Sequence, residues 1–256
     1  MIRYTKDSRL IFDLGMNNGD DTAFYLSRGF NVVALDANPT LCERVKRRFQ
    51  ESIDEGRLKI INAAIWKTTG QTTFYINLDN DHWSSLDIGW AGRDASRYQE
   101  ISIQCVTLSS LFDEFSVPHY LKIDVEGVDH TVLEQLRGKS LLPQYVSVED
   151  CRFGFQYMEA LACCGYDGFK LLDQSTVSQM TDTATGHIFP PGSSGPFGCD
   201  LPGEWLSHDN MVKFYSATVR DMQGNRLAPR TQWWDIHCAN LGKKEQSMSE
   251  AQYVSP

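Results

Sequence analysis

Four carboxylates follow two apolar segments of the sequence, and this placement suggests that they act together. Asp124 and Glu126 end one such segment, and Glu149 and Asp150 end the next. The carboxyl ends of parallel strands meet at one edge of a sheet, so these four acids are expected to lie close together. Two uses remain open. Asp124, Glu149 and Asp150 would hold Mg²⁺, which prefers oxygen ligands, or one acid acts as a general base while another orients a partner.

A histidine follows this acidic stretch at helical spacing. His130 comes four residues after Glu126, which is about one helical turn, so the two side chains could share a face. Histidine is the usual base near neutral pH. The catalytic set predicted from these residue types is therefore Asp124, Glu126 and His130, and His82 and His237 are further histidines that could enter the site from loops.

A glycine-bearing turn near the start of the chain indicates a cofactor site. The first apolar segment ends in a turn that runs from Gly15 to Asp21. A dinucleotide-binding turn would have glycine at positions 17 and 20, where this chain has Asn17 and Asp20. Two carboxylates at the start of the following helix, Asp20 and Asp21, would repel a pyrophosphate. A positively charged ligand without phosphate suits the turn better, and S-adenosylmethionine (SAM) has that chemistry.

A second acid lies at the distance expected for ribose recognition. Asp36 follows Gly15 by 21 residues and ends the second apolar segment. In nucleotide-binding sheets the acid that accepts the ribose hydroxyls lies about 20 residues beyond the glycine turn. A carboxylate has two acceptor oxygens and can therefore take both hydroxyls. The spacing predicts that Asp36 binds the ribose of the cofactor, with Gly15 and Gly19 letting the backbone come close.

Apolar segments that alternate with helix-like segments indicate an α/β fold that positions these residues. The expected strands are Arg9–Leu14, Asn31–Leu35, Leu58–Ala63, Thr72–Asn77, Ile101–Val106, His119–Val125, Tyr145–Val148, Phe169–Leu172 and, as the antiparallel last strand, Met211–Val219. This order predicts a doubly wound, mostly parallel Rossmann-like sheet with two loop and strand insertions. We expect residues 1–242 to form a single domain and residues 243–256 a disordered tail. The glycine- and proline-rich segment His187–Trp205 is either a lid or a plain connector.

Composition excludes several classes of partner. The 256 residues include 24 Lys and Arg against 33 Asp and Glu, which gives a net charge of −9. Such an acidic chain is not expected to bind nucleic acid. The sequence has no apolar run of bilayer length, no secretory signal and no CxxC pair among its seven cysteines. We expect a cytoplasmic protein without membrane insertion, and the sequence predicts no particular oligomeric state.

Several motifs together resemble the FkbM family of SAM-dependent methyltransferases, which belong to class I and have a Rossmann-like fold. The motif Leu121-Lys122-Ile123-Asp124-Val125-Glu126-Gly127 is similar to the family signature that ends the fourth strand. Asn62–Ile65, Ser84–Leu86, Gly192–Gly198 and Trp234–His237 also resemble family segments. The resemblance covers roughly residues 9–240. One departure is Asp129, where the family usually has Glu.

The resemblance implies roles that spacing alone does not. Asp13 with Asn17 or Asn18 would meet the methionine part of SAM, and Asn62 or Ala63 would border the adenine. The full set of implied cofactor-binding residues is Asp13, Gly15, Asn17, Asn18, Gly19, Asp36, Ala37, Asn62, Ala63 and Asp124. The implied activity is methyl transfer, most naturally to a hydroxyl of a sugar, glycan, polyketide or other small molecule.

Two rival functions share parts of this pattern. An NAD-dependent oxidoreductase would also use Asp36, but Asn17, Asp20 and Asp21 disfavour it. A SAM-binding scaffold without catalysis would keep the turn, although loss of the acids Asp124 and Glu126 would be expected in such a protein. A nucleic-acid methyltransferase is disfavoured by the acidic charge and by the lack of an Asn/Asp-Pro-Pro-aromatic tetrapeptide after the fourth strand.

Overall fold

The computed structural model describes residues 2–5 and 8–242. The predicted disordered tail, residues 243–256, lies outside the described residues. The strands are β1 (Arg3–Thr5), β2 (Leu10–Leu14), β3 (Asn31–Asp36), β4 (Leu58–Asn62), β5 (Ala64–Ile65), β6 (Gly70–Asn77), β7 (Tyr98–Val106), β8 (Tyr120–Ile123), β9 (Leu141–Pro143), β10 (Tyr145–Glu149), β11 (Gly168–Asp173) and β12 (Trp234–Ala239). The α-helices are α1 (Asp20–Ser27), α2 (Pro39–Arg48), α3 (Gln50–Asp54), α4 (Ile88–Ala91), α5 (Leu108–Phe115), α6 (Asp129–Glu134), α7 (Gly154–Cys163) and α8 (His208–Thr218).

Seven strands form the central sheet in the order β11-β12-β10-β8-β2-β3-β4. The neighbours from β10 to β4 are parallel, whereas β12 runs antiparallel to both β10 and β11. The order reverses at β2, which has β3 on one side and β8 on the other. A crevice therefore opens at the carboxyl ends of β2 and β8, where doubly wound sheets bind ligands. This topology confirms the predicted fold class, including an antiparallel strand late in the chain.

The antiparallel strand is a different segment from the predicted one. Residues Met211–Val219 were expected as a strand but belong mainly to helix α8, and the strand is β12. Met211, Tyr215 and Val219 are all buried at spacings of four, which is the period of a helix. The side chain of Ser207 accepts a hydrogen bond from the backbone of Asn210 and so caps the start of this helix.

Two smaller sheets lie beside the main sheet. Strands β5, β7 and β6 form a three-stranded sheet, in which β6 and β7 contain the predicted strands Thr72–Asn77 and Ile101–Val106. Strand β1 pairs with β9. Within residues 2–5 and 8–242 no helix combines the length and the apolar character needed to cross a membrane.

The two faces of the central sheet are covered differently. Side chains alternate along each strand, so Phe12 joins one apolar cluster with helices α5 to α8 while Ile11 joins another with α1. On the second face the segment His187–Trp205 takes the place of a helix. Its Phe197 ring stacks on Tyr120 of β8 with ring centres 4.2 Å apart. The segment therefore packs on the sheet as part of its core.

We expect Phe197→Ala to lower the free energy of unfolding by about 3–5 kcal/mol, because a large ring is removed from a packed site. The matched control is Phe214→Ala on α8, where the ring is 46% exposed, in contrast to 7% for Phe197. Urea denaturation of both variants measures the difference. Equal, small losses in the two variants would mean that His187–Trp205 is a loosely held lid.

Candidate functional site

A cleft opens at the carboxyl ends of β2, β3, β4 and β8, as the topology requires. It is lined by Gly15, Asn17, Leu35, Asp36, Ala37, Leu41, Ala63, Ala64, Ile65, Phe74, Asp81, His82, Ser84, Leu86, Asp124, Val125, Glu126 and Val128. One part of the lining is apolar, and the other carries carboxylates. The lining includes six of the residues predicted to bind the cofactor, namely Gly15, Asn17, Asp36, Ala37, Ala63 and Asp124. It also includes two of the predicted catalytic residues, Asp124 and Glu126.

The turn after β2 can lie close against the end of β8 because Gly15 has no side chain. Gly15 has φ +82°, and a Cβ on it would overlap the carbonyl oxygen of Asp124. Its backbone N–H donates to the carbonyl of Leu35 at 2.8 Å. The glycine therefore lets β2, β3 and β8 meet at one point, which creates the cleft. Gly19 packs against Val45 and Phe49 of the α2 region and does not line the cleft.

Asp36 lies in the cleft with its carboxylate already oriented. One oxygen accepts the backbone N–H of Asn17 at 3.0 Å, and the other accepts that of Asn38 at 2.8 Å. Burial raises the pKa of Asp36 to about 6, although these two hydrogen bonds oppose the rise. The carboxylate is thus ionised at neutral pH, and each oxygen keeps a lone pair that can accept a further hydrogen bond.

Asn17 reaches Asp36 through an uncommon backbone conformation. Its φ is +46°, in the left-handed region that Asn tolerates better than most residues. Ala37 and Ala63, which are predicted to bind the cofactor, also line the cleft. Asn62 does not, because its side-chain amide donates to the backbone carbonyl of Asp36 at 3.0 Å.

Two further predicted cofactor residues lie outside the cleft. Asn18 is engaged with Asp20 at the start of α1, its amide donating to the carboxylate at 2.8 Å. Asp13 is completely buried beneath the cleft. Its carboxylate accepts the hydroxyl of Thr22 at 2.6 Å and lies 3.3 Å from the ammonium of Lys122.

Lys122 is a central residue of the site that sequence reasoning did not single out. Its side chain is 3% exposed, and its ammonium lies 3.3, 3.6 and 3.4 Å from carboxylate oxygens of Asp13, Asp21 and Asp124. It also donates to the carbonyl of Gly15 at 3.1 Å. Burial alone would lower the pKa of Lys122, but the three carboxylates hold it well above its ordinary value. The sequence signal that could have identified Lys122 is a charged residue inside the otherwise apolar strand β8.

Three acids come together at the acidic side of the cleft. Carboxylate oxygens of Asp124, Glu126 and Glu149 lie within 4.8 Å of one another. Burial, and then the charge of Asp124, raises the pKa of Glu126 to about 8. The pKa of Glu149 is raised well above its usual range by the same two causes. Asp235 on β12 is buried in register with Glu149, and burial and Asp124 raise its pKa as well.

The prediction that Asp150 joins this group is wrong. Its carboxylate points to the other face of the sheet, where it accepts the hydroxyl of Tyr215 at 2.7 Å and pairs with Arg220 at 3.0 Å. Adjacent residues at a strand end face opposite ways, so Glu149 and Asp150 cannot both reach the cleft. Asp235 is not among the predicted site residues, because the last strand is predicted at Met211–Val219 and lies at Trp234–Ala239 instead.

The predicted pairing of His130 with Glu126 is also not formed. Glu126 has φ +53° and precedes helix α6, so the helical spacing does not apply to the pair. His130 is exposed, packs against Phe153 and does not line the cleft. His82 does line the cleft. His237 is buried on β12, and burial lowers its pKa to about 3.

The turn that presents Glu126 is fixed by two neighbours. Asp129 accepts the backbone N–H groups of Val125 and Gly127 at 2.9 and 3.0 Å. The hydroxyl of Ser85 donates to the backbone carbonyl of Glu126 at 2.6 Å. Asp129 thus fixes the conformation of the turn through these two hydrogen bonds. Asp serves this purpose here at the position where the family usually has Glu.

We expect Gly15→Ala to destabilise the fold far more than Gly56→Ala. Both glycines have positive φ, +82° and +72°, so each substitution carries the left-handed cost of about 1–2 kcal/mol. A Cβ on Gly56 meets nothing within 4 Å, whereas one on Gly15 meets the Asp124 backbone. Urea denaturation of the two variants measures the difference, and equal losses would contradict the proposed contact between the turn and β8.

Comparisons with known proteins identify the family. Residues 13–167 match the methyltransferase FkbM domain. No curated protein matches the chain significantly. Among similar solved structures, a methyltransferase FkbM from Methylobacillus flagellatus KT has 14% identity and a TM-score of 0.37, with 56% of this chain and 33% of that chain covered. This chain therefore spans about a third of that protein.

Two further similar structures cover more of the chain. A precorrin-6y C5,15-methyltransferase from Geobacter metallireducens GS-15 has 9% identity and a TM-score of 0.41, with 92% of this chain and 82% of that chain covered. The 1,6-didemethyltoxoflavin-N1-methyltransferase from Burkholderia thailandensis, solved with S-adenosylhomocysteine, has 10% identity and a TM-score of 0.36, with 91% and 71% covered. With the FkbM domain spanning more than half of its length, this chain belongs to the FkbM family of SAM-dependent methyltransferases.

Proposed function

We propose that this protein transfers a methyl group from SAM to a hydroxyl oxygen of a small molecule or glycan. The observation that carries this proposal is that Asp36 and the acidic pair Asp124 and Glu126 line the same cleft. Asp36 suits the binding of a ribose. Asp124 suits the binding of a cationic cofactor, and Glu126 suits the removal of a hydroxyl proton. The acidic net charge of −9 favours such an acceptor over a nucleic acid.

The cleft residues fit SAM in three respects. Asp36 offers one free lone pair on each oxygen, which matches the two ribose hydroxyls. The apolar part of the lining, which includes Ala37, Leu41 and Ala63, suits the adenine ring. Asp124 lies beside the Gly15 turn, where its charge would favour the ammonium and sulfonium of the cofactor. Asp13 would act there indirectly, through Lys122.

The chemistry divides between the cofactor and the protein. SAM supplies an electrophilic methyl group on a sulfonium. The protein must orient the acceptor and take the proton that its hydroxyl loses. A carboxylate with a pKa of about 8 is a stronger base than an ordinary glutamate, and Glu126 has this property because it is buried beside Asp124. We therefore assign the role of general base to Glu126, with burial and the charge of Asp124 raising its proton affinity.

The alternative use of these acids is to bind Mg²⁺ through Asp124, Glu126 and Glu149. Glu126 already accepts the indole N–H of Trp90 at 2.6 Å. The guanidinium of Arg93 lies 3.6 Å from the same carboxylate. A positive charge at this distance would repel a divalent cation, so the contacts favour proton transfer over metal binding.

We expect Asp36→Asn to weaken SAM binding by about 1–3 kcal/mol, because a charge-assisted acceptor is lost. In the wild type the affinity should fall as the pH drops through about 6, because the pKa of Asp36 is about 6 and protonation removes an acceptor. Titration calorimetry from pH 5 to pH 8 measures both effects. The control Asp113→Asn, on the exposed side of α5, should bind like the wild type. Unchanged SAM affinity in Asp36→Asn would contradict the ribose assignment, and binding of NAD⁺ instead of SAM would contradict the choice of cofactor.

We expect Glu126→Gln to bind SAM normally but to transfer the methyl group about 10²–10⁴-fold more slowly, because the general base is lost. In the wild type the rate should rise with pH through about 8, since Glu126 must be ionised to accept a proton. Formation of S-adenosylhomocysteine across pH 6–9, with and without EDTA, measures this, and Glu134→Gln on the exposed side of α6 is the control. A methyl-transfer rate in Glu126→Gln equal to that of the wild type would rule out Glu126 as the base. Loss of activity in EDTA would support Mg²⁺ binding by these acids.

A further inference from the structure

Trp90 forms a fixed aromatic platform beside the acidic part of the cleft. Its indole N–H donates to Glu126, and its ring lies against the backbone of Gly127. A Cβ on Gly127 would come within 3.0 Å of the ring, so glycine at this position makes room for the indole. The platform is thus held by the same turn that presents Glu126.

Two arginines pack on this platform. The guanidinium carbon of Arg93 lies 4.3 Å from the ring centre of Trp90, and that of Arg152 lies 4.7 Å from it. Arg93 is further engaged, since it lies 4.4 Å from the ring centre of Trp83 and 3.6 Å from the carboxylate of Glu126. The positive charge of Arg93 is therefore largely compensated by neighbouring groups of the protein.

Arg152 differs from Arg93 in having an uncompensated charge. No carboxylate lies within ion-pair distance of it among residues 2–5 and 8–242. The residue is exposed and follows β10 directly after the Glu149–Cys151 segment. Its φ of +81° is uncommon for arginine, so the backbone holds this side chain over Trp90 at some cost.

The charges around the cleft leave few places for an anion. Asp124, Glu126 and Glu149 repel negative charge from the interior. The ammonium of Lys122 is buried and shared among three carboxylates. An acidic group on the acceptor would therefore stay outside, and the Arg152 guanidinium, which stacks on Trp90 outside the cleft lining, is placed to receive it. Arginine binds planar carboxylates and phosphates through two parallel hydrogen bonds.

We propose that Arg152 and Trp90 form an acceptor subsite for an anionic group, so that the acceptor is a hydroxyl compound that also carries a carboxylate or a phosphate. This inference rests on the proposed methyl transfer and specifies its substrate class. In this arrangement the anion stays at the entrance with Arg152, and the hydroxyl points inward to Glu126. Arg152 acts as a specificity-determining residue and takes no part in proton transfer.

The test uses matched hydroxyl compounds that differ only in charge. Methyl glucuronoside, methyl glucoside and glucose 6-phosphate, and the pair 4-hydroxybenzoate and phenol, are offered to the full-length protein with SAM, and S-adenosylhomocysteine formation is measured. The variants are Arg152→Asn, which removes the charge and tolerates positive φ, and Arg152→Lys, which keeps the charge without the fork. Arg137→Gln is the control for a lost positive charge, because Arg137 is exposed after α6 and does not stack on Trp90.

We expect the wild type and Arg137→Gln to prefer an acidic compound over its neutral partner by about ten-fold or more in kcat/KM, as a charge-assisted contact allows. Arg152→Asn should lose this preference through KM, and Arg152→Lys should keep part of it. A preference for the carboxylate or for the phosphate identifies the anion. Equal use of charged and neutral compounds, a preference unchanged in Arg152→Asn, or no use of any acidic compound overturns the proposal. Transfer to the neutral compounds, together with SAM binding by calorimetry, separates these results from failure of the proposed function, in which the wild type would transfer a methyl group to none of the compounds.

Discussion

The structure of the site depends on one buried positive charge. Lys122 brings an ammonium into the centre of the sheet, where desolvation of an ion costs several kcal/mol unless its partners compensate. Three carboxylates and a backbone carbonyl do so, and they come from β2, α1, the end of β8 and the Gly15 turn. Elements that are distant in the sequence are thereby tied to one atom. The negative charges are equally dependent on it, because Asp13 and Asp21 are buried and have no other cation within ion-pair distance in the described part of the chain.

The same charge links the cleft to the segment that covers the sheet. Asp21 shares the ammonium of Lys122 and also accepts the backbone N–H of Ser194 at 2.8 Å. Burial raises the pKa of Asp21 to about 6, although Lys122 opposes the rise. The glycine-rich part of His187–Trp205 is thus held both by Asp21 and by the packing of Phe197 on Tyr120. This segment serves as a structural layer that supports α1 and, through α1, the turn after β2.

Sequence patterns predicted the site best where a local constraint determines the position. The spacing from Gly15 to Asp36 reflects one strand-turn-helix-strand unit, so both residues were placed correctly in the cleft. Asp150 and His130 failed because their placement depends on which face a strand end presents and on where α6 begins. The left-handed conformation at Glu126 delays that helix, and neither residue type nor period reveals it. Lys122 was overlooked because its buried partners are distant in sequence.

Backbone conformation rather than residue type brings the polar groups of the cleft together. Asn17, Glu126 and Arg152 each adopt positive φ, and each follows the carboxyl end of a central strand, β2, β8 or β10. Such conformations are uncommon for residues other than glycine and persist only where the surroundings over-determine them. Here the surroundings are identifiable: Asp36 accepts the N–H of Asn17, Asp129 clasps the turn of Glu126, and Trp90 supports Arg152. Three strained turns at neighbouring strand ends therefore orient the Asp36 carboxylate, present Glu126 to the cleft and hold Arg152 over Trp90, an arrangement that relaxed turns after these strands would not produce.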